Sequence, residues 1–403
     1  MAPASNARLD QQQQAVHSAS SPAVLYMRER IRVAFLIRAL DVGGAQRQIM
    51  TLARSLDQKI FEVTVLTLYN GGALAGDLRG TGVRVIALDK RSRWDLVGFF
   101  AHLVKTCRKL RPHILHSYLP GQNLVAIFLK PFLRGTRMVW GIRASALDPA
   151  TGDWLSTLNF RMQARLSRLA DLIIFNSDAG KQFHLAQGVA ADRAVVIHNG
   201  VDTVRFCPDR RAGSRLRSSW QVPEGALLIG LVGRIVPVKD CETFLRAAAK
   251  LALIRPEARF VCVGSGTPEY VRTLHNLAAT LGLEKKVIWP GEVIGELPDA
   301  YNAMNIYCSS SYAEGTSNVI LEAMASGVPC VVSEVGDSHM IVGETGVVVP
   351  SRDPQALADG LERMARRLAQ EPHLGIAARE RIVSSFSIDS LAQNTAKALI
   401  DLL

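Results

Sequence analysis

The sequence predicts an α/β protein built from two Rossmann-like domains. Short apolar runs alternate with helical patterns along most of the chain, and this alternation is typical of βαβ units with a parallel sheet. The length of 403 residues favours two domains, because a typical domain has roughly 150 residues. A hydrophobic share of 48% with 21% charged residues is ordinary for a globular chain with sizeable cores.

Changes of pattern along the chain predict the domain boundaries. Residues 1–29 are polar and include four consecutive glutamines, so we expect a disordered extension without the apolar core of a signal peptide. Residues 30–205 form the first domain and residues 226–385 the second. Between them, residues 206–225 contain prolines, serines and charges without a clear period, which predicts a linker.

Buried parallel strands are predicted wherever a short apolar run precedes a turn. The first is Ile31–Ile37, which leads into a pair of glycines and a helical pattern. Ligands of such sheets bind beyond the carboxyl ends of the strands, so polar residues that directly follow a strand are the candidate site residues. The further predicted strands are residues 63–68, 83–88, 114–116, 138–141, 172–176, 195–198, 226–233, 260–263, 306–308 and 328–333.

Charge and cysteine content limit the partners and the compartment. Residues 1–205 carry a formal charge of +13 and the remainder −2, so the first domain could face nucleic acid, anionic lipid or a phosphorylated substrate. Nucleic acid is the weakest of the three, because no zinc-finger, helix-turn-helix or RNP pattern is present. The six cysteines show no ligand spacing, which favours free thiols and a cytoplasmic location.

Two carboxylates separated by seven residues mark the stretch around which the chain is organised. Glu314 lies in a turn-prone loop, and Glu322 lies inside an apolar run that ends at Gly327. Thr316 or Ser317 can cap a helix that begins there. The helix start would direct free N–H groups and its positive dipole toward an anionic or hydroxyl-rich ligand.

This pattern, followed by Ala-Met-Ala-Ser-Gly-Val-Pro, resembles the nucleotide-sugar signature of the retaining glycosyltransferases of family 4, which have the GT-B fold. The resemblance covers roughly residues 31–390. It implies two Rossmann-like domains that face each other across a cleft, with a C-terminal helix (residues 386–403) that packs back on the first domain. It also implies that Glu314 lies by the donor sugar and that Glu322 binds the ribose of the nucleotide.

Arg234 and Lys239 follow the first strand of the second domain and form the second strong motif. An arginine and a lysine aimed at one position stabilise the departure of a diphosphate, on which negative charge grows. Their spacing resembles the Gly-Arg…Lys-Gly motif of the same family, although Asp240 stands here where the family has glycine. Two solvated charges beside a proline loop are the structural alternative.

The resemblance assigns further candidates at strand ends. His116 matches the first histidine of the family's His-x-His, where a histidine meets the donor sugar, but Tyr118 replaces the second one. Gly43 and Gly44 match the glycine loop that faces the donor, and Arg143 matches a strand-end arginine that faces acceptor or phosphate. The remaining donor-site candidates are Gly264, Gly266, Gly315, Thr316, Ser317 and Asn318.

Two stretches that mix basic and apolar residues, 90–111 and 128–137, allow a peripheral membrane face. Most of their apolar residues should face the core. In the alternative interpretation, arginines and lysines contact anionic headgroups while an aromatic side chain dips into the bilayer. Such a face would place the protein at the inner side of the cytoplasmic membrane and would suit a lipid-linked acceptor.

The expected function is retaining transfer of a hexosyl unit from a nucleotide diphosphate sugar, with a UDP-sugar favoured. The expected acceptor is the hydroxyl of a saccharide, a lipid-linked one in envelope or exopolysaccharide biosynthesis, and neither metal nor cofactor is expected. Arg234, Lys239, Glu314 and His116 are the expected catalytic residues. The alternatives are a GT-B nucleotide-sugar epimerase, which needs no acceptor, and a non-catalytic nucleotide-sugar-binding protein.

Overall fold

Two parallel β-sheets, each covered by helices, form the body of the molecule. The computed structural model describes residues 29–403 except 42, 73, 91, 93, 94, 96, 144–153 and 294. The extension predicted to be disordered, except Glu29, therefore lies outside the described residues, and so does Trp94 of the stretch 90–111. The seven-stranded sheet has the order β3-β2-β1-β4-β5-β6-β7, and the six-stranded sheet has the order β10-β9-β8-β11-β12-β13.

The first sheet and its helices are built from the basic half of the chain. Strands β1, β2 and β4 are buried nearly throughout. Their continuous apolar runs predict this burial, because such runs are typical of a parallel sheet that is covered on both faces. The strands are β1 Ile31–Ile37, β2 Phe61–Thr67, β3 Arg84–Ala87, β4 Ile114–Tyr118, β5 Arg137–Ile142, β6 Leu172–Phe175 and β7 Ala194–Val196. The α-helices are α1 Gly44–Ser55, α2 Val97–Leu110, α3 Pro120–Leu129, α4 Trp154–Leu166 and α5 Asp178–Ala186.

The second sheet has its own core, centred on fully buried side chains such as Phe244 and Phe260. Its strands are β8 Leu228–Val232, β9 Arg259–Val263, β10 Val287–Gly291, β11 Ile306–Ser309, β12 Cys330–Ser333 and β13 Val347–Val349. The α-helices of this half are α6 Arg210–Ser219, α7 Cys241–Ile254, α8 Pro268–Thr280, α9 Leu297–Ala303, α10 Asn318–Ala325, α11 Ser338–Val342, α12 Pro354–Gln370, α13 Leu374–Ser385 and α14 Ile388–Ile400.

Each sheet contains one point at which the strand order reverses. In the first sheet β1 lies between β2 and β4, and in the second sheet β8 lies between β9 and β11. The loops after these central strands diverge to opposite faces and leave a crevice, which is where open α/β sheets bind ligands. The loops after β8 and β11 carry the motifs that the sequence singled out.

The segment 206–225 is not a loose linker. Asp209 caps helix α6 by accepting hydrogen bonds from the amides of Arg211 and Ala212. Gly213 of this helix lies so close to α9 that an added Cβ would come within 2.2 Å of the Asn302 carbonyl oxygen. Tight packing on α9 therefore makes α6 part of the second half of the molecule.

Helix α14 crosses back to the first domain, as the resemblance implied. Leu391 and Leu399 are buried in the same cluster as Phe35 and Ile49 of the first sheet and α1. The chain crosses beside Val201, whose amide donates to the Phe386 carbonyl at 2.9 Å. The two halves are thus joined at the crossing by backbone hydrogen bonds as well as by side chains.

No helix in the described part of the chain is long and apolar enough to cross a membrane.

Candidate active site

Lys239 and Glu314 meet at the carboxyl edge of the second sheet. Lys239 ends a 3₁₀ turn after β8, and Glu314 lies in the loop after β11. The ammonium group of Lys239 donates to Oε1 of Glu314, and the hydroxyl of Ser311 donates to the same oxygen at 2.8 Å. Both charged side chains are mostly buried, with exposed fractions of 19% and 15%. The β8–β11 switch point therefore presents a cation and a carboxylate in contact.

Arg234 lies five residues before Lys239 in the loop after β8 and is exposed. No hydrogen bond or ion pair to another described residue holds its guanidinium group, so the five N–H donors remain available to an anion.

Close packing explains why glycines occupy the turns near Arg234. A Cβ on Gly264 would lie 1.8 Å from the Gly233 carbonyl oxygen, and one on Gly266 would lie 2.1 Å from the carbonyl oxygen of Ile235. Close packing of the two turns thus requires Gly264 and Gly266, whatever they contact in a ligand.

Asp240 explains the departure from the glycine of the family motif. Its backbone is left-handed, with φ 48°, a conformation that glycine adopts freely and aspartate tolerates better than most residues. Its carboxylate accepts a hydrogen bond from the amide of Thr243 at 3.2 Å and so caps helix α7. The substitution keeps the turn and adds a cap.

The loop that leads from Glu314 into α10 is held by the first domain. The hydroxyl of Thr316 donates to the backbone carbonyl of Asn176, and a Cβ on Gly315 would be 3.5 Å from the hydroxyl of Ser177. Ser317 is at the N-cap position, but its buried hydroxyl makes no capping hydrogen bond. The predicted side-chain cap is therefore wrong, because Thr316 turns toward β6 instead.

Glu322 lies in the second turn of α10 and accepts a hydrogen bond from the Tyr301 hydroxyl at 2.8 Å. Burial raises the pKa of the Glu322 carboxyl, and the Tyr301 hydrogen bond and the charges of Arg47 and Arg205 offset only part of this effect. The carboxylate is thus fixed in orientation and poorly solvated, as suits a group that accepts from ligand hydroxyls.

Asn318, the first residue of α10, joins the two halves of the cleft. Its Oδ1 accepts from Nδ2 of Asn199 at 2.8 Å and lies 3.4 Å from Nε2 of Gln48, which also donates to the Gly200 carbonyl. A Cβ on Gly44 would come within 3.4 Å of Nδ2 of Asn318. The glycine loop therefore faces the second domain, and Gly43 precedes it as the N-cap of α1.

His116 is not at the surface of the cleft. Its ring is fully buried and neither ring nitrogen has a hydrogen-bond partner. The rings of Phe35 and Tyr118 cover it, with centroids 5.3 Å and 4.7 Å away. Burial, and then the charge of Arg143, hold the pKa of His116 well below its usual value. In this structure His116 therefore cannot contact a donor sugar directly, because the Tyr118 ring covers it.

Arg143 bridges the two sides of the first sheet's crevice. Its Nη2 donates to the Tyr118 hydroxyl at 2.8 Å and its Nη1 to Oδ1 of Asn199 at 3.0 Å. The guanidinium carbon lies 4.6 Å from the centroid of the Tyr118 ring, while Nε is buried without a partner. Arg143 thus supports Tyr118 and Asn199, and Nε is its unused donor.

Asp337 is a residue of the cleft that the sequence analysis did not identify. Its carboxylate accepts from the amides of Asp178 and Ala179, at the start of α5, and lies 3.2 Å from Nε2 of His198. Burial would raise the pKa of Asp337, but these hydrogen bonds outweigh it and hold the pKa below its ordinary value.

Asp178, His198 and Asp337 form a group whose potential ligand atoms lie within 4.8 Å of one another among the described residues. Both Asp337 oxygens are already engaged by backbone amides of α5. The arrangement therefore favours a hydrogen-bonded contact between the domains over a metal site. Asp337 lies 139 residues from His198 and 159 residues from Asp178 in the chain, which is why no local pattern marked the group.

Two family models match the chain over most of its length. Residues 42–205 match the model described as Glycosyltransferase Family 4, and residues 226–367 match the model described as Glycosyl transferases group 1. The boundary between the two matches falls in the segment that holds α6.

Similar curated proteins include D-inositol 3-phosphate glycosyltransferases of several actinobacteria. The one from Streptosporangium roseum is 32% identical over 372 residues, which is 84% of this chain and 84% of that protein. The one from Catenulispora acidiphila is 31% identical over 78% of this chain and 80% of that protein. The match to the Salinispora tropica protein reaches 35% identity, but it spans only about half of either chain, 52% of this one and 45% of that relative.

Similar solved structures show the same arrangement of two domains. HepE from Anabaena, crystallised with UDP, superimposes with a TM-score of 0.81 at 22% identity over 92% of this chain and all of that chain. Sucrose-phosphate synthase from Thermosynechococcus elongatus gives a TM-score of 0.77 at 22% identity, covering 93% of this chain and 99% of that chain.

Proposed function

Because the chain belongs to glycosyltransferase family 4 and has the GT-B fold, we propose that it transfers a hexosyl unit from a nucleotide diphosphate sugar to a hydroxyl acceptor with retention of configuration. The observation that carries the proposal is the meeting of Lys239 with Glu314 at the switch point of the second sheet. Arg234 precedes Lys239 in the same loop, and Glu322 lies in the second turn of α10.

The diphosphate would bind where Arg234 and Lys239 converge. As the bond between the anomeric carbon and the phosphate oxygen breaks, the electron pair stays on that oxygen. Two cations in a partly buried site stabilise this charge more than water does. The acceptor oxygen forms its bond to the anomeric carbon on the same face, and its proton passes to the departing phosphate. No carboxylate is assigned as a nucleophile.

Glu314 and Glu322 would position the donor. Glu314 already binds Lys239, so a diphosphate that approaches the lysine shares it with the carboxylate, which would lie by the donor sugar. Glu322, oriented by Tyr301, would accept from the ribose. A UDP-sugar is the favoured donor because HepE, a structural neighbour, was crystallised with UDP-glucose.

The acceptor is proposed as an anionic molecule with a free hydroxyl. Two classes fit: a phosphorylated polyol, in keeping with the relatives named for D-inositol 3-phosphate, and a lipid-linked saccharide of an envelope or exopolysaccharide pathway. The charge of +13 over residues 1–205 favours an anionic acceptor in either class.

The test is turnover of UDP- and GDP-hexoses, with and without a chelator, in the presence of inositol 3-phosphate or of lipid-linked saccharides. We expect one donor to be consumed without added metal, and the anomeric proton of the product to keep the configuration of the donor. The variants Arg234→Ala and Glu322→Ala should lose this activity, while Arg246→Ala, on the exposed side of α7, should keep it.

Three outcomes would contradict the proposal. Inverted product would exclude the retaining mechanism, and a changed sugar without transfer would indicate an epimerase. Saturable donor binding without turnover on any acceptor would indicate a non-catalytic nucleotide-sugar-binding protein.

A further inference from the structure

A large apolar groove lies on the outer face of the first domain, far along the chain from the donor motifs. It has a volume of about 1080 Å³ and is formed mainly by α2, α3 and the turn after α3. We call it the α2–α3 groove. The side chains that define it are Val97, Phe100, Lys105, Arg108, Phe128 and Phe132.

Helix α2 has one wide apolar face, and the core of the first domain covers only part of it. Phe99, Leu103 and Cys107, spaced four residues apart, are buried in that core. Phe100 and Val104 form the adjacent row, which packs against the same core while only partly buried and also lines the groove, and Val97 continues this row at the exposed start of the helix. The groove is therefore the uncovered margin of an apolar helix face.

The groove exposes large apolar side chains to water. The exposed fractions are 84% for Val97, 51% for Phe128 and 44% for Phe132. The Phe132 ring meets Phe100 edge-on at 5.7 Å, which holds the floor of the groove in place. Contiguous apolar surface of this kind marks a binding face in a soluble domain.

Cations flank the groove at both ends, and none of the described residues that line it carries a carboxylate. Lys90 follows β3 at the carboxyl edge of the sheet, the edge that also faces the donor cleft. Lys105 and Arg108 lie on exposed turns of α2 toward the opposite edge. Helix α2 has 14 residues, so the groove extends for about 20 Å along it.

This charge pattern decides between the possible occupants. A symmetric second copy would bring two grooves together whose charged lining residues, Lys90, Lys105 and Arg108, are all cations, so like charges would face each other. An anionic bilayer matches both the charge and the apolar surface of the groove. Its phosphates pair with the cations, and its acyl chains contact the apolar side chains.

We propose that the α2–α3 groove docks on an anionic membrane, with a lipid chain against Phe100, Phe128 and Phe132 and lipid phosphates on Lys105 and Arg108. The docking itself does not depend on the proposed transferase activity. Its role in presenting a lipid-linked acceptor to the cleft does rest on that function, since the Lys90 end of the groove opens at the same edge of the sheet.

The test is co-sedimentation of the full chain with vesicles of phosphatidylglycerol and phosphatidylcholine, compared with vesicles of phosphatidylcholine alone. We expect binding to the anionic vesicles that weakens as salt is raised. Each cation near the surface contributes about a fivefold change in partition, so Lys105→Gln with Arg108→Gln should weaken binding by roughly 20-fold. Phe128→Gln should weaken it at every salt concentration.

Matched control variants distinguish an effect of the α2–α3 groove from a general effect of losing surface charge or an exposed apolar side chain. Arg246→Gln with Lys250→Gln removes two exposed cations from α7, and Leu253→Gln removes a side chain that is 84% exposed. Neither control should change vesicle binding by more than about twofold, while all of the variants should keep wild-type affinity for UDP.

Three results would overturn the proposal. The first is a wild-type chain that ignores anionic vesicles, and the second is binding that the groove variants and the controls reduce alike. The third is a dimer in solution that Phe128→Gln dissociates, because a second copy would then cover the groove. If the wild-type chain binds anionic vesicles but turns over no donor, the result would contradict the proposed function and leave the membrane docking intact.

Discussion

The ion pair between Lys239 and Glu314 fixes both side chains before any ligand arrives. The two residues belong to loops 75 residues apart in the chain, and β8 and β11 are neighbours in the sheet. The sequence could identify both residue types by their motifs. It could not predict that they pair, because the pairing follows from the order of strands in space.

For Lys239→Ala we expect loss of turnover by about 10²–10³, the usual effect of removing one group that stabilises a developing anion. Removal of the ammonium also leaves the mostly buried Glu314 without its cation, at a cost of about 1–3 kcal/mol in the free energy of unfolding. Steady-state kinetics and denaturant unfolding measure the two effects. Lys250→Ala, an exposed lysine of α7, is the control. Turnover of Lys239→Ala within a few fold of wild type would remove the lysine from the mechanism.

Glu322 predicts a pH dependence of donor binding. Burial raises its pKa above the ordinary value, so protonation begins at a higher pH than for an exposed glutamate. Affinity for UDP should therefore fall as the pH is lowered through this raised pKa. The Glu322→Gln variant, which cannot titrate, should bind more weakly at neutral pH and show a flatter profile. Calorimetric titration of UDP between pH 5 and 8 measures this, and parallel slopes for the two proteins would contradict it.

The same raised pKa fixes the sign of a stability effect. The native state holds the Glu322 proton more tightly than the unfolded chain, so its contribution to stability falls as the pH rises through the raised value. Glu322→Gln should accordingly be slightly more stable than wild type at neutral pH. Thermal unfolding at two pH values tests the sign.

At the scale of elements, helix α5 begins against a carboxylate from the other domain. Asp337 accepts two amide hydrogen bonds at the positive end of α5, a favourable position for an anion. Ser177 is the local N-cap and accepts from the Gly180 amide. The sequence around α5 could predict the serine cap, but the second acceptor comes from a distant loop.

We expect Asp337→Ala to lower the free energy of unfolding by about 1–2 kcal/mol, the usual value of a lost helix cap. Asp353→Ala is the matched control, since Asp353 caps α12 within its own domain. Both variants should lose similar stability, but only Asp337→Ala should increase the radius of gyration in X-ray scattering. Equal scattering curves would show that the Asp337 contact does not hold the domains together.

The contact should also survive mild acid. Because the folded pKa of Asp337 lies below its ordinary value, its contribution is complete above the unfolded pKa of about 3.9 and is lost only as the pH falls through the lower folded value. The difference in unfolding free energy between wild type and Asp337→Ala should therefore be the same at pH 7 and pH 5.

At the scale of the whole molecule, the apolar runs were sufficient to predict two parallel sheets. The strands at 31–37, 114–118 and 306–309 fall where continuous hydrophobic stretches precede polar turns. The sequence could not predict that the segment 206–225 contains a packed helix, because α6 has a strongly polar composition and is held by contacts with distant residues, a close approach at Gly213 and hydrogen bonds of Arg217. Nor could it predict the burial of His116, which depends on Tyr118 folding over it.

Helix α14 couples the two domains through the core of the first one. Leu399 is fully buried there, so Leu399→Ala should cost about 2–5 kcal/mol. Leu253→Ala, at an exposed leucine, should cost less than about 0.5 kcal/mol. Urea unfolding measures both, and equal midpoints would show that α14 is not part of the first domain's core.

Calorimetric titration of UDP without metal, on wild type, Arg234→Ala and Arg246→Ala, tests the central claim most directly. The account predicts saturable binding by wild type and Arg246→Ala, and affinity lowered at least tenfold in Arg234→Ala, because the free guanidinium beside Lys239 contacts the diphosphate. Equal affinity in all three proteins would contradict the assignment of this switch point as the donor site.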